Sequence, residues 1–77
     1  LNLISMKLDQ FMKWQGLVST GGEAKQIINS GHVLVNGSKE LRRGRKLQNG
    51  DQIIFGNIKL IFRQSEALGR RLAIEDQ

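Results

Sequence analysis

The sequence predicts an α+β fold in which two short helices pack on a small, mostly antiparallel β-sheet. Three observations support this class. Early in the chain, apolar residues recur every three or four positions, which is the helical period. Later they alternate with more polar residues, as in strands. Asn-Gly and Gly-Asn pairs, which favour tight turns, punctuate the alternating part.

Two helices are predicted, and a short connection joins them. The apolar face of the first helix consists of Leu8, Phe11 and Met12. Gly16 is expected to end it. Thr20 and Glu23 have the spacing of a capping box, in which each side chain bonds the other's free backbone N–H. Gly31 suits the left-handed residue that ends the second helix. The apolar stripe of that helix is Ala24, Ile27 and Ile28.

The β-sheet is predicted from three segments and their turns. Residues 32–35 form the first strand, and Asn36-Gly37 follows as a tight turn, because both residues accept a positive φ. Gly56-Asn57 has the composition of a two-residue hairpin loop that joins residues 52–55 to residues 58–62. The sheet therefore contains at least one hairpin of apolar strands.

Residues 1–63 are predicted to form a single domain, because no repeat, linker or low-complexity segment divides them. Residues 64–77 are predicted to be a C-terminal tail that is frayed or weakly helical. Leu68 and Leu72 have helical spacing there, but Gly69 lies between them and disfavours a helix.

The net charge of +5 and the isoelectric point near 10.3 indicate a polyanionic partner. The excess belongs to residues 1–62, because three arginines balance three acidic residues in 63–77. A basic excess confined to the folded part favours nucleic-acid binding. A solvated basic surface with no ligand remains the alternative that charge alone leaves open.

Several function classes are excluded by composition. The chain has no cysteine, so disulfides and thiolate metal sites are absent. His32 is the only histidine, and no nucleophile–base pair or cofactor motif is apparent. No apolar run approaches the roughly 20 residues that span a bilayer. The sequence thus predicts a cytoplasmic protein without membrane span, metal, cofactor or enzymatic activity.

The densest positive charge lies at Arg42, Arg43, Arg45 and Lys46, with only Gly44 interposed. Guanidinium groups bind phosphate oxygens through paired donors, and a glycine lets the backbone approach closely. Phosphate binding is favoured over a loop that merely aids solubility. As solvated surface charges, these four side chains are expected to contribute little to stability.

A second candidate site is the start of the second helix. Gly21 and Gly22 leave the first N–H groups open to an anion, and Ser19, Thr20 and Lys25 would add donors. The equally weighted alternative is that the glycines form a turn and Thr20 only caps the helix. A separate candidate is the single tryptophan, Trp14. Its packing in the core or at an edge is favoured over stacking on a base.

Four motifs occur in an order that identifies a family. They are Lys7-Leu8-Asp9, Ala24-Lys25, the Gly-x-Val-x-Val-Asn-Gly run from Gly31 to Gly37, and Gly50-Asp51 before an apolar strand. Over about residues 7–55 the chain resembles the S-four (alpha-L) RNA-binding domain family. It looks most like the small stand-alone bacterial members of the YaaA/YbcJ type. That closer likeness is carried by residues 11–14, 21–25 and 42–47.

This resemblance implies the alpha-L RNA-binding fold and non-catalytic binding of structured RNA, either ribosomal RNA or a ribosome-assembly intermediate. One position departs from the family: Thr20-Gly21 stands where many members have Ser-Arg, so that arginine contact is not carried over. The candidate RNA-binding residues are Lys7, Lys13, Ser19, Thr20, Lys25, Lys39, Arg42, Arg43, Arg45 and Lys46.

Two other classes of function stay open at this point. The last strands carry apolar residues on both faces, so one face would suit a second copy of the chain or a ribosomal protein. In that case the domain is an interaction or oligomerisation module with incidental affinity for polyanions. DNA binding is compatible with the charge, but no recognition helix with base-reading side chains is apparent.

Overall fold

The computed structural model describes residues 6–63, and the predicted C-terminal tail lies outside them. This part of the chain has the predicted α+β architecture. Its elements in chain order are β1 (Met6–Lys7), α1 (Leu8–Trp14), α2 (Gly21–Asn29), β2 (Val33–Val35), β3 (Ser38–Lys39), β4 (Lys46–Leu47), β5 (Gln52–Phe55) and β6 (Ile58–Ile61).

The strands form two antiparallel sheets. The larger has the order β3-β2-β5-β6, and the smaller pairs β1 with β4. The prediction of a mostly antiparallel sheet is confirmed, because all four pairings are antiparallel. The small β1–β4 sheet is an addition that the sequence interpretation did not contain. It joins the start of the first helix to the end of the basic run, because Lys46 is the first residue of β4.

Both predicted turns are present, and the first also forms a hairpin because residues 38–39 pair back as β3, a strand that the sequence interpretation did not contain. Asn36 and Gly37 have φ values of 54° and 87°, and Val35 pairs with Ser38 on either side of them. The Gly56-Asn57 loop likewise connects the paired residues Phe55 and Ile58. A positive φ at Asn36 is tolerated because its short polar side chain suits the left-handed region.

Helix α1 buries the predicted residues Leu8, Phe11 and Met12. It ends where expected: Gly16 adopts a φ of 78°, and its N–H donates to the carbonyl of Lys13 at 3.0 Å. The next amide, of Leu17, donates to the Met12 carbonyl at 2.9 Å. These two bonds satisfy carbonyls that the end of a helix leaves unpaired.

The cap of helix α2 differs from the predicted capping box by one residue. Thr20 Oγ1 accepts from the Glu23 N–H at 3.1 Å, as expected. The Glu23 carboxylate, however, accepts from the N–H of Ser19 at 2.8 Å and not from that of Thr20. At the other end, Gly31 adopts the predicted left-handed conformation with a φ of 80°.

The core lies between the helices and one face of the larger sheet. Phe11 of α1 meets Phe62 edge-to-face, with ring centroids 5.6 Å apart. Such a pair contributes about 0.5–1.5 kcal/mol beyond the burial of its area. The buried apolar residues are Leu8, Phe11, Met12, Val18, Ala24, Ile28, Val33, Val35, Leu47, Ile53 and Phe62.

Candidate nucleic-acid interface

Lys7 and Lys46 face each other across the small sheet. They are register partners on β1 and β4, and both are exposed. Directly opposed residues have Cβ atoms about 4.5–5.5 Å apart, and like charges in such positions destabilise a strand pair. Two lysine side chains therefore leave the small sheet from directly opposed positions.

The segment of residues 42–46, called here the basic loop, is attached to the start of helix α1 by its backbone. The N–H of Leu8 donates to the carbonyl of Arg45 at 2.8 Å, and the N–H of Asp9 donates to the carbonyl of Arg43 at 3.1 Å. The first N–H groups of a helix have no partner within it. The loop supplies two of those partners, so its backbone position is set by the helix.

Glu40 is a buried carboxylate that holds two arginines of the basic loop. It is only 6% exposed. Its Oε1 accepts from Arg45 Nη1 at 2.8 Å, and its Oε2 accepts from Arg42 Nε at 3.0 Å and from the Arg42 N–H at 3.1 Å. A buried charge needs such partners, because leaving it unpaired is costly.

These bonds lower the pKa of Glu40 from 4.5 to about 2. The side-chain hydrogen bond from Arg42 is the largest influence; burial opposes it, and the bond from Arg45 adds to it. The same pairing raises the pKa of Arg42. Arg42 is nevertheless 76% exposed, whereas Arg45 is 29% exposed. Because water screens the Arg42 charge, Arg45 is the firmer support of the buried carboxylate.

Asp51 extends this network into the larger sheet. Its Oδ2 lies 3.8 Å from Arg45 Nη2 and accepts from the Gln48 N–H at 2.9 Å. Its Oδ1 accepts from Asn36 Nδ2 at 3.0 Å, and Asn36 Oδ1 accepts from the Gln52 N–H at 2.9 Å. A continuous set of hydrogen bonds and ion pairs thus connects the basic loop with the turn between β2 and β3.

Lys7, Arg43 and Lys46 remain as exposed charges around this frame. Within residues 6–63, ion pairs involve only Arg42 and Arg45 among the cations, so no described carboxylate neutralises the other three. The structure brings together five of the ten candidate residues. They are Lys7, Arg42, Arg43, Arg45 and Lys46.

The other five candidates lie on different elements. The start of α2 is open at Gly21, where an added Cβ would meet no atom within 4 Å. Two of its first N–H groups are used, because that of Glu23 donates to Thr20 Oγ1 and that of Ala24 donates to the Thr20 carbonyl. The Glu23 carboxylate also accepts from the Ser19 N–H just before the helix, so a negative charge already lies beside this site. The remaining exposed candidates are Lys13 on α1, Ser19 and Thr20 before α2, Lys25 on α2 and Lys39 on β3.

Trp14 lies at an edge of the molecule, one of the two packing positions favoured from the sequence. Its side chain is 46% exposed, and its ring centroid is 6.2 Å from that of Phe11. Together with Gln10 and Lys13 it lines an open concavity of about 480 Å³. This concavity lies along the exposed side of α1.

The described residues contain neither a metal-binding cluster nor a membrane-spanning helix. No group of three or more His, Asp or Glu side chains there is arranged to hold a metal ion. None of the helices in residues 6–63 has the length and apolarity needed to cross a membrane.

Comparison with known proteins decides the family. The S4 domain family matches residues 2–61. The chain belongs to the S4 domain family. One relative is the probable ribosome maturation protein RlbA of Bacillus subtilis (strain 168), which is 39% identical over 57 residues. That match covers 70% of this chain and 80% of the relative.

Two longer proteins match this chain over part of their length. The small ribosomal subunit protein uS4 of Natranaerobius thermophilus is 30% identical over 54 residues, which cover 70% of this chain and 26% of that protein. Hemolysin A of Brachyspira hyodysenteriae is 34% identical over 64 residues, which cover 82% of this chain and 27% of that protein. The chain thus spans about a quarter of the length of these two relatives.

Sequence reasoning missed the acidic half of this interface in the S4 domain. Glu40 and Asp51 were not among the candidates, although they position the basic loop. One signal was available for Glu40, an acidic residue two and five positions before Arg42 and Arg45. The contact between Asp51 and Arg45 has no such local signal, because β4 and a turn lie between them.

Proposed function

We propose that this S4 domain binds structured RNA, either ribosomal RNA or a ribosome-assembly intermediate, without catalysing a reaction. The ligand class rests on the charge of the described surface. The ribosomal context rests on two relatives, one named as a ribosome maturation protein and the other as a protein of the small ribosomal subunit.

The observation that carries this proposal is the register partnership of Lys7 and Lys46 on the small sheet. No carboxylate among the described residues pairs with either lysine, so both positive charges are available to a ligand. A phosphate between these side chains would bind both charges, and release of its counterions would drive association. A polyanion backbone is therefore the ligand that this surface favours.

Arg42 and Arg45 have different roles in the proposed complex. Arg45 is a positioning residue: its bond to Glu40 keeps the basic loop in place while its neighbours meet phosphate. Arg42 uses Nε for Glu40 and is otherwise exposed, so its two Nη groups remain as donors for a phosphate oxygen.

A longer RNA would reach further contacts outside the basic loop. These contacts would position the RNA on the helices and on the larger sheet, as phosphate contacts do in general. At the start of α2 the donors on offer are the N–H groups of Gly21 and Gly22 and the hydroxyls of Ser19 and Thr20, whereas the Ser19 N–H is occupied by the Glu23 carboxylate. The proposed outer contacts are Lys13, Ser19, Thr20, Lys25 and Lys39.

Recognition of structured RNA is favoured over single strands because the domain lacks a broad aromatic surface. Phe11 and Phe62 are buried in the core. Phe55 is half-buried, and Trp14 is the only exposed aromatic side chain among the described residues. Binding of a whole single strand depends on a series of stacked bases. A folded RNA, recognised through its backbone and shape, fits this surface better.

A second candidate function is protein interaction through the outer face of the larger sheet. Leu34 and Ile54 are paired neighbours on that face, and both are half-buried. Lys39 and Lys59 flank them in the same register row. Gel filtration with and without RNA distinguishes the two functions, because a dimer formed without RNA supports the interaction module.

The proposal is tested by measuring RNA affinity as a function of salt for Lys7→Gln/Lys46→Gln. We expect the slope of log K against log salt to flatten by roughly 1.4 to 1.8, since each lost phosphate contact contributes about 0.7 to 0.9. The control Lys59→Gln/Arg63→Gln removes the same charge from exposed positions outside the candidate set. Equal flattening in both variants would assign binding to net charge and refute the proposed interface.

A further inference from the structure

The exposed side of α1 carries a second feature that phosphate binding at the basic loop leaves unused. Lys13 and Trp14 follow Gln10 by three and four residues, and the three side chains line the same open concavity of about 480 Å³. They lie opposite the buried stripe of this helix. A ring, a cation and an amide therefore meet at one place on the surface.

The Trp14 ring is supported from beneath by the core. It lies against Phe11 at a tilt of 48°, with centroids 6.2 Å apart, and Phe11 in turn packs edge-to-face on Phe62. A side chain that is already ordered loses less conformational freedom when a ligand binds. Almost half of the Trp14 side chain remains exposed and accessible to that ligand.

The polar groups beside the ring are also arranged for a ligand. Gln10 Oε1 accepts from the Lys7 N–H at 3.1 Å, which orients the amide and leaves its NH₂ group to donate. Lys13 is exposed, and no carboxylate among residues 6–63 forms an ion pair with it. A site made of an aromatic ring, a cation and a hydrogen-bond donor suits a nucleotide better than it suits an aliphatic side chain of a protein partner.

We propose that this concavity binds one unpaired base of the RNA whose phosphates lie at the basic loop. The base stacks on Trp14, Lys13 pairs with the adjacent phosphate, and the Gln10 amide donates to the edge of the base. This inference rests on the proposed function and adds a specificity to it. The basic loop contacts the start of α1 and Trp14 is its last residue, so the base lies about one helix length, or about 10 Å at 1.5 Å per residue, from the contacts of the basic loop.

The experiment uses Trp14 itself as the reporter, because it is the only tryptophan of the chain. The full chain is titrated with two RNA duplexes of the same sequence, one fully paired and one with a single bulged nucleotide. We expect the bulged duplex to quench the fluorescence of Trp14 and the paired duplex to leave it nearly unchanged. Trp14→Ala should weaken binding of the bulged duplex about tenfold, as the loss of one base–aromatic stack does.

Matched variants keep the result interpretable. Trp14→Phe retains a ring and should keep most of the preference for the bulged duplex. Lys13→Gln should weaken binding of the bulged duplex more than that of the paired one. Ile58→Ala removes another exposed apolar side chain, and it should change neither affinity. Circular dichroism of each variant verifies the fold.

The outcomes separate this inference from the proposed function. If both duplexes bind with strong salt dependence but quench Trp14 equally, and Trp14→Ala affects neither, the base site is refuted and the proposed function stands. If neither duplex binds at low salt, the proposed function fails. A dimer that Trp14→Ala converts to a monomer in the absence of RNA would assign the concavity to a protein contact and refute the inference.

Discussion

Arg45 belongs to the densest run of positive charge, yet its guanidinium lies on a buried carboxylate. The expectation that all four cations of the run contribute little to stability is therefore wrong for this residue. Glu40 is 6% exposed and bonds Arg45 at 2.8 Å, and Asp51 lies on the other side of the guanidinium at 3.8 Å. Removing such a partner leaves a buried charge unsupported.

We predict that Arg45→Gln lowers the free energy of unfolding by about 1–3 kcal/mol, because Glu40 then depends on the exposed Arg42. Urea denaturation measures this change. The matched control is Arg43→Gln, which removes an exposed arginine with no carboxylate partner among the described residues and should change stability by no more than about 0.5 kcal/mol. Equal losses in the two variants would show that Arg45 gives no special support.

The lowered pKa of Glu40 predicts that the stability of the domain falls at acid pH. Its pKa is lowered from 4.5 to about 2 in the folded state, so its contribution is complete above 4.5 and is lost as the pH falls from there towards 2. The size is about 1–3 kcal/mol, since water screens the bond from Arg42. Denaturation at pH 5 and pH 2.5 should show a smaller loss for Glu40→Gln than for the unchanged chain. Identical losses of stability in the variant and the unchanged chain would show that Glu40 is not the origin of the acid dependence.

Among the secondary-structure elements, the turn between β2 and β3 combines two constraints in Asn36. Its φ is 54°, and its side chain bonds both Asp51 and the Gln52 N–H. We predict that Asn36→Val costs about 2–3 kcal/mol, from backbone strain together with the lost hydrogen bonds. Asn36→Gly removes only the bonds, because glycine accepts the positive φ. Equal melting temperatures for the two variants would mean that backbone strain contributes nothing to the loss.

The helices and hairpins could be predicted because their signals are local. Spacing along the chain indicated the buried face of α1, and the composition of two residues indicated each hairpin turn. The β1–β4 pair had no such signal. Each strand has two residues, too few to show alternation, and Met6 finds its partner Leu47 far along the chain. The partner of Glu23 at the α2 cap shifted by one residue for a similar reason, because local geometry selects among adjacent N–H groups.

At the scale of the whole molecule, composition indicated a polyanionic ligand but not the surface that meets it. Which cations stay available depends on contacts between distant segments. Lys7 and Lys46 become neighbours only through the small sheet, whereas Arg45 is withdrawn by Glu40 and Asp51. The net charge is a sum over the chain, and the interface is the part of it that the fold leaves unpaired.

The backbone hydrogen bonds between the basic loop and α1 restrict insertions and deletions in this part of the chain. The carbonyls of Arg43 and Arg45 lie two positions apart, and they serve the consecutive N–H groups of Asp9 and Leu8. An inserted or deleted residue between those carbonyls would leave one amide of the helix without its partner. Side chains there can be exchanged to suit a different ligand, but the number of residues is held constant by the helix that the loop completes.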